Sequence, residues 1–289
     1  MKAILKKVIQ GFGLEPRTFT EKIDTFSIRW ALGQQNLSNL VKELERVVPD
    51  ITDQYSRKRE RSEHWKLKVR GLHAFQCCLM LSTLDSCPGK DLTVVDIGDS
   101  AGTHMLYLKE LGKKRFNINT ISVNLDPRAV EKIRALGLEA KLCRAEELDL
   151  GESQVDLFMS FEMVEHLHNP AIFFRRLAKK SRGDKMVITV PYLKHSRVGL
   201  YQIRKPAYAP YFAEDEHIFE LSPQDWTLLL CHAGWRVAHS AIYYQYPRRI
   251  PMLSPLLAAF WRRTDFEGFW GAILEKDTGL SDLYQDWED

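Results

Sequence analysis

The sequence predicts an α/β fold built on a mostly parallel sheet, and two observations carry that expectation. Short apolar runs alternate with helix-compatible stretches from Leu92 onward. The first run, Leu92 to Ile97, breaks into Gly98 and Gly102 before a helical pattern starts at His104, as a buried strand does when it turns tightly into a helix. In such a sheet a ligand sits at the carboxyl ends of the strands, so residues there are the functional candidates.

Taken in order, residues 1–88 read as an N-terminal helical extension and 89–289 as the sheet domain. Trp65, Val69, Leu72, Phe75 and Leu79 recur at helical spacing, which predicts that the last helix of the extension packs on the core. Strands follow at Leu92–Ile97, Ile118–Leu125, Glu139–Cys143, Val155–Ser160 and Lys185–Val190. The second ends at Asp126-Pro127, the third leads into Arg144-Ala145-Glu146-Glu147-Leu148, and the fourth into Phe161-Glu162-Met163-Val164-Glu165-His166. A lid is expected over 193–222, a helix over Ser222–His232, and closing strands over Trp235–Tyr244 and Phe266–Glu275. Between those strands lies an insertion at 247–264, apolar in the middle and bounded by Arg248-Arg249 and Arg262-Arg263.

Composition excludes several classes. The chain has 289 residues and a net charge of +3, too small a balance to argue for nucleic acid. No apolar run approaches the roughly 20 residues that span a bilayer, and no secretory signal is visible. The five cysteines are odd in number and lack metal-type pair spacing, which predicts reduced thiols in the cytoplasm.

The strand-end residues resemble those of the class I S-adenosylmethionine (SAM) dependent methyltransferases, over roughly residues 90–276. The family's first motif, acid-x-Gly-x-Gly-x-Gly, reads here Asp96-Ile-Gly98-Asp-Ser100-Ala-Gly102, with serine for the middle glycine. Asp126 matches the family's ribose-binding acid, and Ala145-Glu146 the segment bordering the adenine, where Arg144 replaces a usual acid. The resemblance implies a Rossmann-like sheet of seven strands, mostly parallel with an antiparallel edge strand. It further implies SAM as cofactor, contacted by Asp96, Gly98, Ser100, Gly102, Asp126, Ala145, Glu146 and Phe161.

Glu162, Glu165 and His166 form an E-x-x-E-H pattern after the fourth strand. If a helical turn starts there, the three share one face, and two carboxylates with an imidazole can hold a divalent cation. His217, just before the Ser222 helix, offers a fourth ligand from the lid. This combination resembles the small-RNA 3′-end 2′-O-methyltransferases, and its E-x-x-E-H part the ubiquinone-pathway O-methyltransferases. Carried over, the resemblance implies Glu162, Glu165, His166 and His217 as Mg²⁺ or Mn²⁺ ligands. A metal-free site remains open, with His166 or Glu165 orienting or deprotonating the acceptor, as does a structural role for the acids at a helix start.

The expected acceptor is a hydroxyl of a saccharide or another polyhydroxylated metabolite, in a setting such as cell-surface glycan synthesis. An RNA 3′ end shares the metal logic but lacks support from charge. A quinone or catechol would suit a lid bearing Tyr192, Tyr201, Tyr208 and Tyr211, which equally suit sugar rings. A non-catalytic scaffold would predict damaged cofactor motifs, and Asp96, Gly98, Gly102 and Asp126 are intact. Arg57-Lys58-Arg59-Glu60-Arg61 offers a phosphate contact or a solvated helix face. The basic amphipathic N-terminus and the 247–264 insertion are candidates for peripheral contact with the inner face of a membrane, or for packing on their own domain.

Overall fold

The computed structural model describes residues 16–53, 62–151, 153–199, 217–250, 254–264 and 268–284. The N-terminal amphipathic segment, the basic run 55–61, the acids 214–216 and Tyr201, Tyr208 and Tyr211 lie outside the described residues.

Helices α1 (Pro16–Gln34), α2 (Ser38–Val47) and α3 (Glu63–Leu84) precede the sheet. Ser62 starts α3 by accepting a hydrogen bond from the Trp65 N–H at 3.3 Å, the N-cap arrangement that satisfies an orphan donor. Strands β1 (Asp91–Ile97), β2 (Asn117–Asn124), β3 (Glu139–Leu142), β4 (Leu157–Phe161) and β5 (Lys185–Pro191) follow, linked by α4 (Thr103–Gly112), α5 (Pro127–Ala135) and α6 (Pro170–Lys180). A small ribbon, β6 (Arg197–Val198) with β7 (Phe219–Glu220), is made from the two described ends of the expected lid. Helix α7 (Pro223–His232), β8 (Trp235–Tyr244), α8 (Ser254–Arg263) and β9 (Gly268–Lys276) complete these elements.

The main sheet has seven strands in the order β3-β2-β1-β4-β5-β9-β8. β1 to β5 are parallel, and β9 runs antiparallel to both β5 and the edge strand β8. β8 therefore runs the same way as β5, and the ends of both lie at the carboxyl edge of the sheet.

Burial on both faces explains the near-continuous apolar strands. Leu92 and Val94 join a core with residues of α1 to α5, whereas Val95 and Ile97 join one with Phe173 and Phe174 of α6 and Trp226 of α7. The alternation is the period of two that a strand imposes.

Phe75 and Leu79 pack on the core as their spacing predicts, but α3 is buried on more than that stripe. Arg70, Gly71, His73, Ala74, Gln76, Cys77 and Met80 are buried too, because α1 and α2 cover the side away from the sheet. The contact with the sheet is close: a Cβ built on Gly271 of β9 would stand 2.5 Å from Leu79 Cδ1 and 2.7 Å from Phe75 Cε1. Leu32 and Leu44 of the extension share one core cluster with Val94 and Ile273 of the sheet, so extension and sheet form one packed unit. Among the described residues no helix is long and apolar enough to cross a membrane. All five cysteines are free.

Candidate active site

The β1–α4 turn is built around an acid that the sequence reading passed over. Asp99 is buried, and its Oδ1 accepts hydrogen bonds from the Ala101 and Gly102 N–H groups at 3.0 and 2.7 Å. Its Oδ2 accepts from Ser122 Oγ at 2.7 Å, and its carbonyl accepts from Asn124 Nδ2 at 2.8 Å, which latches the loop to β2. Burial raises the Asp99 pKa and the three bonds to its carboxylate oppose the rise. The signal was present: an aspartate followed by Ser-Ala-Gly before a helix is an Asx-turn pattern.

Gly98 has φ +99, where a side chain is strained, and a Cβ there would stand 2.6 Å from Met163 Cγ. The close neighbour is thus the loop after β4. Ser100 is half-buried beside it, and Gly102 begins α4. Asp96 is buried next to the end of β1 and its Oδ2 has no hydrogen-bond partner among the described residues. Burial, then the Asp99 charge, push its pKa well above the ordinary range.

Asp126 stands at the tip of β2 as the N-cap of α5, where its Oδ1 accepts from the Arg128 N–H at 2.9 Å. Ala145 and Glu146 form a 3₁₀ turn after β3, half-buried, with the Glu146 carbonyl accepting from Arg176 Nη1 at 3.0 Å. Phe161 ends β4 with its ring 4.7 Å from that of His104.

The E-x-x-E-H segment differs from the single helical face considered above. A one-turn 3₁₀ helix covers only Val164–His166, and Glu162 precedes it at φ +52. Its N–H donates to the Thr189 carbonyl of β5 at 2.9 Å, so the sheet holds it apart from the turn. Glu162 does not join the group formed by Glu165, His166 and His217, whose ligand-type atoms all lie within 4.8 Å of one another.

That group comes together because the lid segment is bonded to the loop: the Ile218 N–H donates to the Glu165 carbonyl at 2.8 Å. The rings of His166 and His217 then meet edge to face with centroids 4.8 Å apart. His217 Nδ1 also lies 3.3 Å from Glu220 Oε1. Glu165 is 1% exposed, and neither carboxylate oxygen has a hydrogen-bond partner among the described residues. Burial, followed by repulsion from Glu162, raises its pKa well above the ordinary carboxylate range. Burial pushes Glu162 up to about 8, against a hydrogen bond from the Thr189 side chain. His168 and His195 are exposed.

A second, unforeseen feature is a buried polar chain. Gln76 of α3 reaches into the carboxyl edge, where its Nε2 donates to Thr189 Oγ1 at 2.8 Å and its Oε1 meets His104 Nε2 at 2.8 Å. His104 Nδ1 lies 4.0 Å from Asp96 Oδ2. Glu162 is therefore linked through Thr189, Gln76 and His104 to the acid of the first turn.

These features fit the groups that the fold and motifs imply. A glycine turn backed by an acid at the next strand tip suits a nucleoside cofactor. A buried carboxylate with both oxygens unpartnered beside two imidazoles suits a divalent cation, since such a group is costly unless paired or coordinated.

Known proteins resemble the chain over this same region. A family profile described as a methyltransferase domain matches residues 41–240, well over half of the chain. Two curated relatives from strains of Mycobacterium tuberculosis, each named a probable S-adenosylmethionine-dependent methyltransferase, are 24% identical over 195 residues. The match covers 66% of this chain and 60% of each relative, so the chain spans less than two thirds of their length. Among solved structures, geranyl diphosphate C-methyltransferase from Streptomyces coelicolor A3(2), in complex with Mg²⁺, geranyl diphosphate and S-adenosyl-L-homocysteine, is similar with TM-score 0.51 at 12% identity. That likeness covers 82% of this chain and 97% of that one. The [4+2]-cyclase SpnF is similar with TM-score 0.51 at 11% identity, covering 88% of this chain and 98% of that one. At such identities the likeness shows the fold alone, and one fold carries several reactions.

Proposed function

The chain belongs to the methyltransferase-domain family, and from that premise we propose that it transfers a methyl group from SAM to a hydroxyl of a saccharide or other polyhydroxylated metabolite, assisted by Mg²⁺ or Mn²⁺. The observation that carries the metal-assisted part is the buried, unpartnered Glu165 carboxylate facing His166 and His217.

SAM supplies an activated methyl on a sulfonium. The residues of the chain supply its seat. Gly98, Ser100 and Gly102 form the turn it approaches, with Asp96 beneath. Asp126, whose Oδ1 caps α5, would hold the ribose diol through its other oxygen. Ala145, Glu146 and Phe161 border the base and the reacting end.

Glu165, His166 and His217 would hold the cation. The cation would supply charge that lowers the pKa of a bound hydroxyl and orients it. In the transfer, the acceptor O–CH₃ bond forms as the S–CH₃ bond breaks, and the hydroxyl proton leaves to a base. Glu162, which stands outside the cation's ligands, can accept it when ionised. Vicinal hydroxyls suit such a cation because two oxygens can approach it together.

The test is titration of Mn²⁺ into the protein saturated with S-adenosylhomocysteine, beside Glu165→Ala and His217→Ala. One bound ion, lost in both variants, supports the reading. No ion in a protein that binds S-adenosylhomocysteine normally removes the metal and leaves His166 as the acid–base candidate. No binding of S-adenosylhomocysteine overturns the reading as a whole.

A further inference from the structure

A cavity of about 390 Å³ at the same carboxyl edge has no part in the site described above. It is lined by Tyr192, Lys194, Tyr244, Arg248, Trp261 and Arg262, with Ala258 completing the wall. Resting on the reading that methyl transfer occurs at this edge, we propose that this cavity is the acceptor's oxyanion subsite, seating a phosphoryl or carboxylate group of an acidic substrate.

The placement follows from the sheet. Tyr192 follows β5, and its N–H donates to the Gly268 carbonyl of β9 at 2.9 Å. Tyr244 ends β8 and pairs in register with the same Gly268. The cavity thus spans the ends of β5, β9 and β8, next to β4, whose loop carries Glu165 and His166. At about 4.8 Å per strand, its walls stand roughly 5–15 Å to one side of that loop. An acceptor of sugar size can bridge such an offset.

The chemistry follows from the lining. The Arg248 guanidinium lies 3.6 Å from the Tyr244 ring centroid and 4.1 Å from that of Trp261, clamped between two aromatic faces. Stacking of this kind fixes the plane of the fork and leaves its N–H edge to meet an oxyanion. Its Nε is buried with no hydrogen-bond partner among the described residues. Burial also lowers its pKa from the ordinary value, against the opposing influence of the Tyr244 and Tyr192 hydroxyls. The frame is braced from several sides. Lys194 Nζ donates to the Thr264 carbonyl at 2.7 Å and to that of Trp261, which ties α8 to the loop after β5. Gln35, in the turn after α1, accepts from the Tyr244 N–H at 3.0 Å and donates to its carbonyl at 2.7 Å. The aromatic walls suit the flat face of a sugar or another ring attached to the anionic group.

The test uses the full chain and three soluble probes: inorganic phosphate, pyrophosphate and glucuronate. Each is titrated by calorimetry against the wild type, Arg248→Gln and Arg262→Gln, with S-adenosylhomocysteine titrated into the same preparations. Arg262 is exposed on α8, so its variant guards against a fold lost at the packed Arg248. Binding of at least one probe, weakened tenfold or more in both variants while S-adenosylhomocysteine binds unchanged, is the expected result. Preference for pyrophosphate or for glucuronate then identifies the oxyanion. No probe binding at 20 mM in protein that binds S-adenosylhomocysteine overturns the subsite and leaves the methyltransferase reading intact. So does binding that neither variant weakens, or attachment to phosphatidylglycerol vesicles without binding of any soluble probe. Probe binding without S-adenosylhomocysteine binding would instead strike the reading on which this subsite rests.

Discussion

Ile218 and Glu165 are joined backbone to backbone, N–H to carbonyl, at 2.8 Å. They belong to the lid and to the loop after β4. This bond sets the height of His217 above the sheet and brings its ring against His166.

Ile218→Pro removes the donor. The expected outcome is a fall in Mn²⁺ affinity of at least tenfold, about 1.4 kcal/mol, with S-adenosylhomocysteine affinity unchanged. Calorimetric titration of both ligands checks it. Equal Mn²⁺ affinity in the variant would mean that the lid reaches its place without this bond.

Gly98 is held by its own φ and by Met163. Gly98→Ala is expected to cost about 1–3 kcal/mol from the left-handed backbone alone, with the clash at Met163 added. Met163→Ala in the same chain removes the 2.6 Å contact with Cγ but keeps the 2.9 Å contact with Cβ, so it recovers part of the loss. Urea denaturation of the two single variants and the double variant gives the coupling. Strictly additive effects would mean that Met163 does not exclude the side chain.

Gln76 serves two buried partners at once. Gln76→Leu removes the donor to Thr189 Oγ1, which keeps its bond to Glu162, and strands the buried His104 Nε2, at about 1–3 kcal/mol for the stranded group. Cys78→Ala, an exposed position on the same helix, is expected to stay within about 0.5 kcal/mol of the wild type. Denaturant midpoints decide, and equal midpoints for the two variants would remove the polar chain from the stability of the site.

Two histidines predict an acid-sensitive core. Burial, helped by His104 and Arg70, holds His73 well below the ordinary imidazole pKa, and burial takes His104 down to about 3. Above about pH 6.5 neither form of the chain is protonated at these positions and they contribute no pH dependence. Below it the unfolded chain binds protons that the folded chain refuses, so stability falls by up to about 1.4 kcal/mol per pH unit for each histidine. Asp96, raised by burial, acts in the opposite sense, so the informative quantity is a difference. His73→Phe is expected to flatten the slope of stability between about pH 6 and 4.5 by up to one proton's worth. An unchanged slope would mean that His73 titrates normally in the folded chain.

The strands were legible because burial on both faces writes each as an apolar run with a turn at its end; β1 and β5 end within one residue of where the runs end. Asp126 was legible as the acid at the tip of the second strand, and Ser222 as the start of a helix. Glu162 was misjudged because a spacing of three and four assumes a helix, and nothing local in Phe-Glu-Met reveals a left-handed residue pinned to β5. Gln76 and Thr189 could not be paired from the sequence at all. Their bond crosses from α3 to β5, and only the packed core sets that distance. The Arg248 clamp was visible as composition, basic ends around an apolar centre, while its aromatic partners come from β8 and α8.

The contact of Phe75 and Leu79 with Gly271 also bears on how the molecule can be made. A helix from the first third of the chain is finished by a strand from its last tenth. Until β9 emerges, the ribosome-bound chain carries α3 with its sheet-facing side chains uncovered at this contact. Contacts of such high sequence separation form late and slowly, and a large chain awaiting them is exposed to aggregation. Loss of β9 would therefore be felt first at α3, in the handling of the nascent chain well before any chemistry at the carboxyl edge.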